Sequence, residues 1–353
     1  MKTFNITPSE LQKSAVQYLP QLLKMPVISA QETLKHMTGR PGTRGRVVLG
    51  ELGGDIEIGP YNPSRVDTDD LTVKGRTLET YLGSVIKEFD PNSVWASIYG
   101  SLVTQGDALK DVNAVREVLF FLAAQLGKKL NMAIWNGLRN PNGSTTRELF
   151  DGFDTITRSE ITSGNISESK GNLFEIEEAI TRDNAIDYLK DLYRACAPEL
   201  KGQKVKMFVT HEILEAYQDS YQIAVGPIPY NTKFEQTILE GSNGLCEIVP
   251  LVSKKDSPYI TIAPQGNMVY GYGDGLADEK MTVEKYHAFL LQFIATMYFG
   301  VQFKSVSPEV LMIGRLYQEE PAGSEPGDGV TSGEWVDPSE QGGDDNENTT
   351  VIP

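Results

Sequence analysis

Three histidines, two cysteines and one small cluster of acids are the side chains whose types could carry chemistry. His36, His211 and His287 fall in three separate segments, and no two share a ligand spacing on one element. A zinc or iron site is therefore not expected, and His287 reads as a half-buried strand residue. Cys196, on a predicted helix face, and Cys246, in a predicted strand, are too few for a disulfide framework and read as reduced core residues of a cytosolic product. GYGDGLADE, residues 271–279, gathers Asp274, Asp278 and Glu279, but it lacks the alternating oxygen ligands of a calcium loop and reads as a solvated turn. There is no phosphate-binding G-x-x-x-x-G-K-[ST], no nucleophile elbow and no glycine fingerprint between a strand and a helix. Paired carboxylates brought together from distant segments stay open, although nothing points to them. The expectation is a non-enzyme with no catalytic residue, no cofactor and no metal. The other charged candidates are Arg40, Arg44 and Arg46, spaced by glycine and proline in GRPGTRGR. They fit either a phosphate-neutralising arm or a solvated turn.

The element that must position everything else is the stretch 110–138. Val112, Val115, Leu119, Leu122, Leu126, Leu130, Ala133 and Leu138 recur three or four apart, which is one face of a helix. Phe120, Phe121, Ile134 and Trp135 widen that stripe. Asp107 or Asp111 can cap the start, and NPNG at 140–143 is turn chemistry.

Charge is uneven. The net is −16, but residues 318–353 hold ten acids and no Lys or Arg, which leaves 38 acids against 32 bases, a net of −6, in the body. Globally this is not the balance of a nucleic-acid binder. With 40 % hydrophobic residues a sizeable core is expected. The acidic, Gly/Pro/Ser-rich stretch beyond Tyr317 has almost no core-forming residues and reads as disordered. No apolar run reaches membrane-spanning length, and MKTFNITPSELQ has no signal-peptide pattern, so no membrane partner is expected.

In chain order, Thr7, Pro8 and Glu10 form a capping box for a first short helix. Ser29 and Glu32 offer the same device for a second. These helices look like an arm that packs on something else. RVVLGEL and LTVKGRTLETYLG read as the limbs of a long hairpin over 46–76, whose tip is too poor in apolar residues to pack on its own domain. Residues 152–174 read as short strands or loop. From Asp183 an α/β pattern begins: helices near 183–200 and 210–221, then strands in KVKMFVT, GLCEIVPLV, PYITIAP and NMVYGYG. TVEKYHAFLLQFIATMYFGVQF, 282–303, fits a helix and a strand nearly equally by periodicity. SPEVLMIG supplies a last strand.

This order of parts resembles the major capsid proteins of tailed bacteriophages with the Hong Kong 97 fold. Two stretches sharpen the likeness. VKGRTLETYLGSVIKEFDPNSVWASIYGS is similar to the descent from that family's extended loop into its peripheral sheet. GNMVYGYGDGLADEKMTVEKYHAFLLQFIATMYFGVQFKSVSPEVLMIG is similar to its closing strands. The resemblance covers about Met1 to Tyr317 and implies an α+β fold. It implies an N-terminal arm (1–43), an extended loop (44–76) and a peripheral domain (77–150 and 276–316) with spine helix 110–138. An axial α/β domain (151–275) and an acidic tail (317–353) complete the division. It also gives 282–303 to strand.

Functionally, the resemblance implies a self-assembling subunit of an icosahedral head. Hexamers and pentamers would enclose double-stranded DNA through weak non-specific contact, in the virion and, during assembly, in the host cytoplasm. Portal, scaffold and decoration proteins are further candidate partners. Arg40, Arg44 and Arg46 would be the DNA-facing or inner-arm residues. Asp55, Ile56, Ile58, Tyr61, Arg65 and Lys74 would be the inter-subunit residues of the extended loop. Some family members crosslink a loop lysine to an asparagine on a neighbour. Lys74 lies in the returning strand, but no motif identifies a partner. The family's long charged N-terminal extension is missing, which implies a separate scaffold or none. The alternatives are an encapsulin-like compartment shell and an α/β enzyme centred on 183–275.

Overall fold

A 13-residue strand, β11 (Leu291–Phe303), organises the first of two five-stranded sheets in the computed structural model. The model describes residues 26–27, 29–53, 72–89, 114–225, 237–273, 278–287 and 290–318. The Thr7 capping box, the hairpin tip at 54–71, the segment 90–113 and the acidic tail lie outside the described residues.

On one side β11 pairs antiparallel with β4 (Tyr81–Phe89), over residues 291–299. On the other it pairs with β10 (Lys280–Lys285) and then with β9 (Met268–Tyr272). Phe299 opposes both Tyr81 and Tyr272, so β9 and β10 share one flank and β4 has the other to itself. A short strand, β1 (Thr38–Pro41), adds parallel to β9. Burial alternates along the first half of β11, with Leu291, Phe293, Ala295 and Met297 turned inward. That period of two, rather than a helical stripe, is what the aromatic and β-branched residues of 291–303 satisfy. The segment 282–303 is thus a hairpin made of most of β10 and all of β11, and His287 falls in its exposed turn instead of in a strand.

The inward face of β11 meets helix α2 (Ala114–Asn136), which follows α1 (Gln31–Leu34) in the chain. Helix α2 is 23 residues and about 34 Å long. Leu119 and Ala123 pack on Phe293 and Ala295, and Leu130, Ala133, Ile134 and Trp135 continue into the larger core. Phe121, on the wide flank of the stripe, is exposed. The helix ends where the chain crosses itself backbone to backbone. A Cβ on Gly152 would overlap the Trp135 carbonyl oxygen, and one on Gly137 would stand 2.5 Å from that of Phe150. Only glycine permits such an approach.

The second sheet has the order β5 (Leu173–Glu175), β12 (Met312–Arg315), β8 (Tyr259–Ala263), β6 (Val205–Val209), β7 (Cys246–Pro250). It is buried on both faces, so its strands read as apolar runs. Met207, Val209, Ile260 and Ile262 face helices α4 (Ala185–Arg194) and α6 (His211–Val225). Phe208, Tyr259 and Ala263 face the core around Trp135. A short α5 (Pro198–Lys201) joins α4 to β6. The Ile213 N–H donates to Thr210 Oγ1 (3.3 Å), so Thr210 caps α6 as its sequence suggests.

Two strands sit in the sheet opposite to the one their place in the sequence suggests. β12, grouped with 276–316, is bonded to β8 and β5. β9, grouped with 151–275, is bonded to β11 and β1. Residues 153–162, expected as loop or strand, form helix α3 (Phe153–Thr162). Its buried side is Phe153, Asp154 and Thr157, so two of three inward residues are polar and no apolar stripe announces it.

Trp135 joins these layers. Its ring centroid lies 5.5 Å from Phe153 on α3 and 5.5 Å from Phe208 on β6, and Phe153 in turn lies 4.8 Å from Phe303 on β11.

Candidate functional site

The hairpin is β2 (Arg46–Gly53) with β3 (Thr72–Glu79), paired antiparallel from Arg46↔Glu79 to Gly53↔Thr72. Its base is fastened to the body. Leu49 and Leu78 are buried against Val269, each worth about 1.5–3 kcal/mol of apolar burial. Arg76 Nη2 donates to Glu160 Oε1 (2.5 Å) and to Gln302 Oε1 (3.3 Å), while its Nε donates to the Phe303 carbonyl (3.2 Å). Burial works against the Glu160 carboxylate, but its bonds from Arg76 and Asn165 hold the carboxyl below its ordinary range. The base of the hairpin therefore packs on the body of its own chain. The tip lies outside the described residues.

The segment before the hairpin is also built into its own subunit. Ala30, Leu34 and Met37 are buried in the main core. Glu32 accepts from the Val252 N–H (2.9 Å) and from Asn131 Nδ2 (3.1 Å), and Thr33 Oγ1 bonds Ser253 Oγ (2.6 Å). The capping box read from Ser29 and Glu32 is not made, because these tertiary partners take the Glu32 carboxylate. His36 Nδ1 lies 3.0 Å from Lys206 Nζ, and its ring meets Phe208 edge-on at 6.0 Å. Desolvation, followed by the Lys206 and Lys35 charges, lowers its pKa to about 4, so the imidazole is neutral and accepts from the lysine.

The three arginines part company. Arg44 pairs with Asp278 at 2.7 Å and Arg46 with its cross-strand neighbour Glu79 at 2.6 Å. Both arginines are exposed, so these pairs contribute little to stability. Arg40 lies on the exposed strand β1 and makes no ion pair among the described residues. Lys74 is on β3 opposite Glu51. Asp55, Ile56, Ile58, Tyr61 and Arg65 lie outside the described residues.

The residues first considered for chemistry are held structurally. Asp278 binds Arg44, and Glu279 is buried and accepts from the Tyr298 N–H (3.0 Å), so the end of 271–279 is no solvated turn. Burial pushes the thiols of Cys196 and Cys246 up to about 12, and both are free. No group of three His, Cys, Asp or Glu among the described residues could hold a metal ion.

One buried pair had no signal in the sequence. Lys254 is fully buried, with its Nζ 2.5 Å from the Tyr259 carbonyl, 2.9 Å from Ser257 Oγ and 3.5 Å from Asp154 Oδ1. It stands 4.1 Å from the Trp135 ring centroid. Neither oxygen of buried Asp154 has a hydrogen-bond partner at normal geometry, and the Lys254 ammonium is its main compensation, with smaller contributions from Ser257 and Arg158. Burial pushes the carboxyl up and the ammonium down.

Two mixed layers, a spine helix between them and a hairpin anchored by an arginine make up the α+β fold of phage major capsid proteins, the Hong Kong 97 type, and this chain has that fold. The similarity to a chain of the satellite phage P4 procapsid including the size determination (Sid) protein has a TM-score of 0.51 at 12 % identity. It covers 89 % of this chain and 93 % of that one. A chain of the capsid of the native gene transfer agent (GTA) particle gives 0.54 at 12 % identity, over 82 % and 91 %. The capsid of the empty GTA particle gives 0.53 at 11 %, over 82 % and 90 %. No protein-family model matches the chain, and no curated protein sequence does.

Proposed function

We propose that this chain is the shell-forming subunit of an icosahedral phage head, assembling as hexamers and pentamers around double-stranded DNA and residing in the virion. The observation that carries the reading is the capsid fold extending over most of the chain, 89 % of it against the P4 procapsid chain. The expected division of labour follows the sheets. Residues 44–76 act as the extended loop, the β11 sheet with α2 as the peripheral domain, and the sheet of β5 to β8 with β12 as the axial domain. Asp55, Ile56, Ile58, Tyr61, Arg65 and Lys74 are proposed to contact a neighbouring subunit. Arg40 is the strongest of the three arginines for weak contact with DNA, since Arg44 and Arg46 already have carboxylate partners.

The hairpin also supports the reading. Its base is held by Arg76, Leu49 and Leu78, so a subunit without the tip keeps its anchors. Deleting 53–70 is therefore expected to leave a folded protein, by circular dichroism and thermal melt, that no longer closes shells. Electron microscopy of the expressed chain and of this deletion decides. An intact chain that stays monomeric or dimeric, or a deletion that gives particles of normal size, overturns the proposal. Particles filled with a protein cargo instead of DNA would move it to a compartment shell.

A further inference from the structure

Between β4, helix α2 and the loop that follows α2 lies a cleft of about 430 Å³. Tyr81 and Val85 of β4, Leu126 and Leu130 of α2, Leu149 and Met297 supply its apolar lining. Leu130 and Met297 are buried, whereas Tyr81, Val85, Leu126 and Leu149 pack on the core and are only partly covered by it. Gly83 lies in the same wall without a side chain; a Cβ there would stand 2.9 Å from Leu149 Cδ2 and intrude on the space. Size and lining are those of a site for a small, largely apolar molecule.

The charged side chains of the lining are Arg139 and Glu148, and they differ in what they have left to offer. The Glu148 carboxylate is engaged by its own loop. It accepts from the Ser144 and Thr145 N–H groups (3.1 and 3.0 Å), from Thr145 Oγ1 (2.6 Å) and from Asn140 Nδ2 (3.2 Å). The Arg139 guanidinium is stacked 3.4 Å over the Tyr81 ring, and its Nη1 donates to the Leu149 carbonyl (3.3 Å). Its Nε and Nη2 meet no acceptor among the described residues, and Asp151 takes the Arg139 backbone N–H (2.8 Å) instead of the guanidinium. A planar guanidinium fixed on an aromatic face, with donors to spare, is a receptor for a carboxylate.

We propose that the cleft binds a straight-chain carboxylate, its alkyl chain along Val85, Leu126 and Leu149 and its head group on Arg139. A neutral chain would leave the guanidinium unanswered, and a cationic one would be repelled by it. At roughly 30 Å³ for a group the size of a water molecule, the space takes on the order of ten methylene-sized groups. One chain fits, and a two-chain lipid does not.

Calorimetric titration of the full chain as purified with decanoate tests this without reference to shells, so its outcome is separate from that of the assembly proposal. Decanoate should saturate a single site per chain. Octanoate should bind about sixteenfold more weakly, from about fourfold for each methylene withheld. Decanol and decylammonium should each bind at least about tenfold more weakly than decanoate, since neither offers a carboxylate to the guanidinium. Arg139→Gln should bring decanoate down to the level of decanol. Val85→Phe, which fills the cleft from the β4 wall, should abolish binding in a chain shown by its thermal melt to be folded. Decanoate that fails to saturate, that binds no more tightly than decanol, or that is indifferent to Arg139→Gln overturns the proposal. Binding retained in a folded Val85→Phe chain places the ligand elsewhere and overturns it as well.

Discussion

Replacing Lys254 by methionine should be among the most damaging single changes in this chain. The ammonium it removes is held by the Tyr259 carbonyl, Ser257 Oγ, the Asp154 carboxylate and the Trp135 face, and the residue has no exposed surface. The methionine side chain would fill the space, but it would leave Asp154 buried without its nearest counter-charge. Breaking a buried pair this way costs about 3–5 kcal/mol. Asp154→Leu is milder, about 1–3 kcal/mol, because Lys254 keeps two oxygen partners. The double variant Lys254→Met/Asp154→Leu removes both buried charges, and such replacements are close to neutral, within about 1 kcal/mol. The singles and the double should therefore show a coupling of at least about 3 kcal/mol. Urea unfolding followed by circular dichroism at neutral pH measures all four corners of the cycle. Additive effects, or a Lys254→Met variant as stable as the parent, would refute the account of this pair as mutually dependent.

Other outcomes follow from the same geometry. His36 titrates at about 4 in the fold against 6.5 when free, so between those values the unfolded chain binds a proton that the folded chain does not. Stability from this group is complete above about pH 6.5 and is lost as pH falls toward 4. Solvent screening at a half-exposed ring leaves about 1–2 kcal/mol of it, and melts of His36→Gln should lack that much of the acid slope. Arg76→Ala should cost about 1–3 kcal/mol, since Glu160 is left half-buried without its partner. If the chain forms the proposed shells, electron microscopy of this variant should show irregular particles. Cys196 and Cys246 should ignore a thiol reagent at pH 8 and react together only on unfolding, with early labelling of either marking an opening of the α4 face.

Much of the scaffold was legible because it is local. The stripe of 114–136 and the helices at 185–194 and 211–225 announce their period, and the strands of the second sheet their apolar runs, within a few residues. Helix α3 did not, since Asp154 and Thr157 occupy places where a pattern reader looks for apolar residues. Glu32 looked like half of a capping box because that motif is local, whereas the partners that claim it, Asn131 and Val252, are about 100 and 220 residues away. The anchors of the hairpin and the Asp154–Lys254 pair were hidden for the same reason. The arm was expected to take its order from a neighbour, yet Ala30, Leu34 and Met37 complete the core of their own subunit. Amphipathic spacing says that a face will be covered and is silent on what covers it.

The attachment of the hairpin has a mechanical side. Each described limb is eight residues, about 26 Å, and it is gripped near its middle, where Arg76 holds the terminal carbonyl of β11. A rigid ribbon so clamped acts as a lever: a tilt of about 10° at the guanidinium swings its far described end, four residues away, by about 2 Å, roughly half a strand spacing. Small rotations of one side chain at the clamp thus set the reach of the whole ribbon. In the proposed shell, subunits of identical sequence would meet neighbours at slightly different angles by redistributing three hydrogen bonds, without repacking a core.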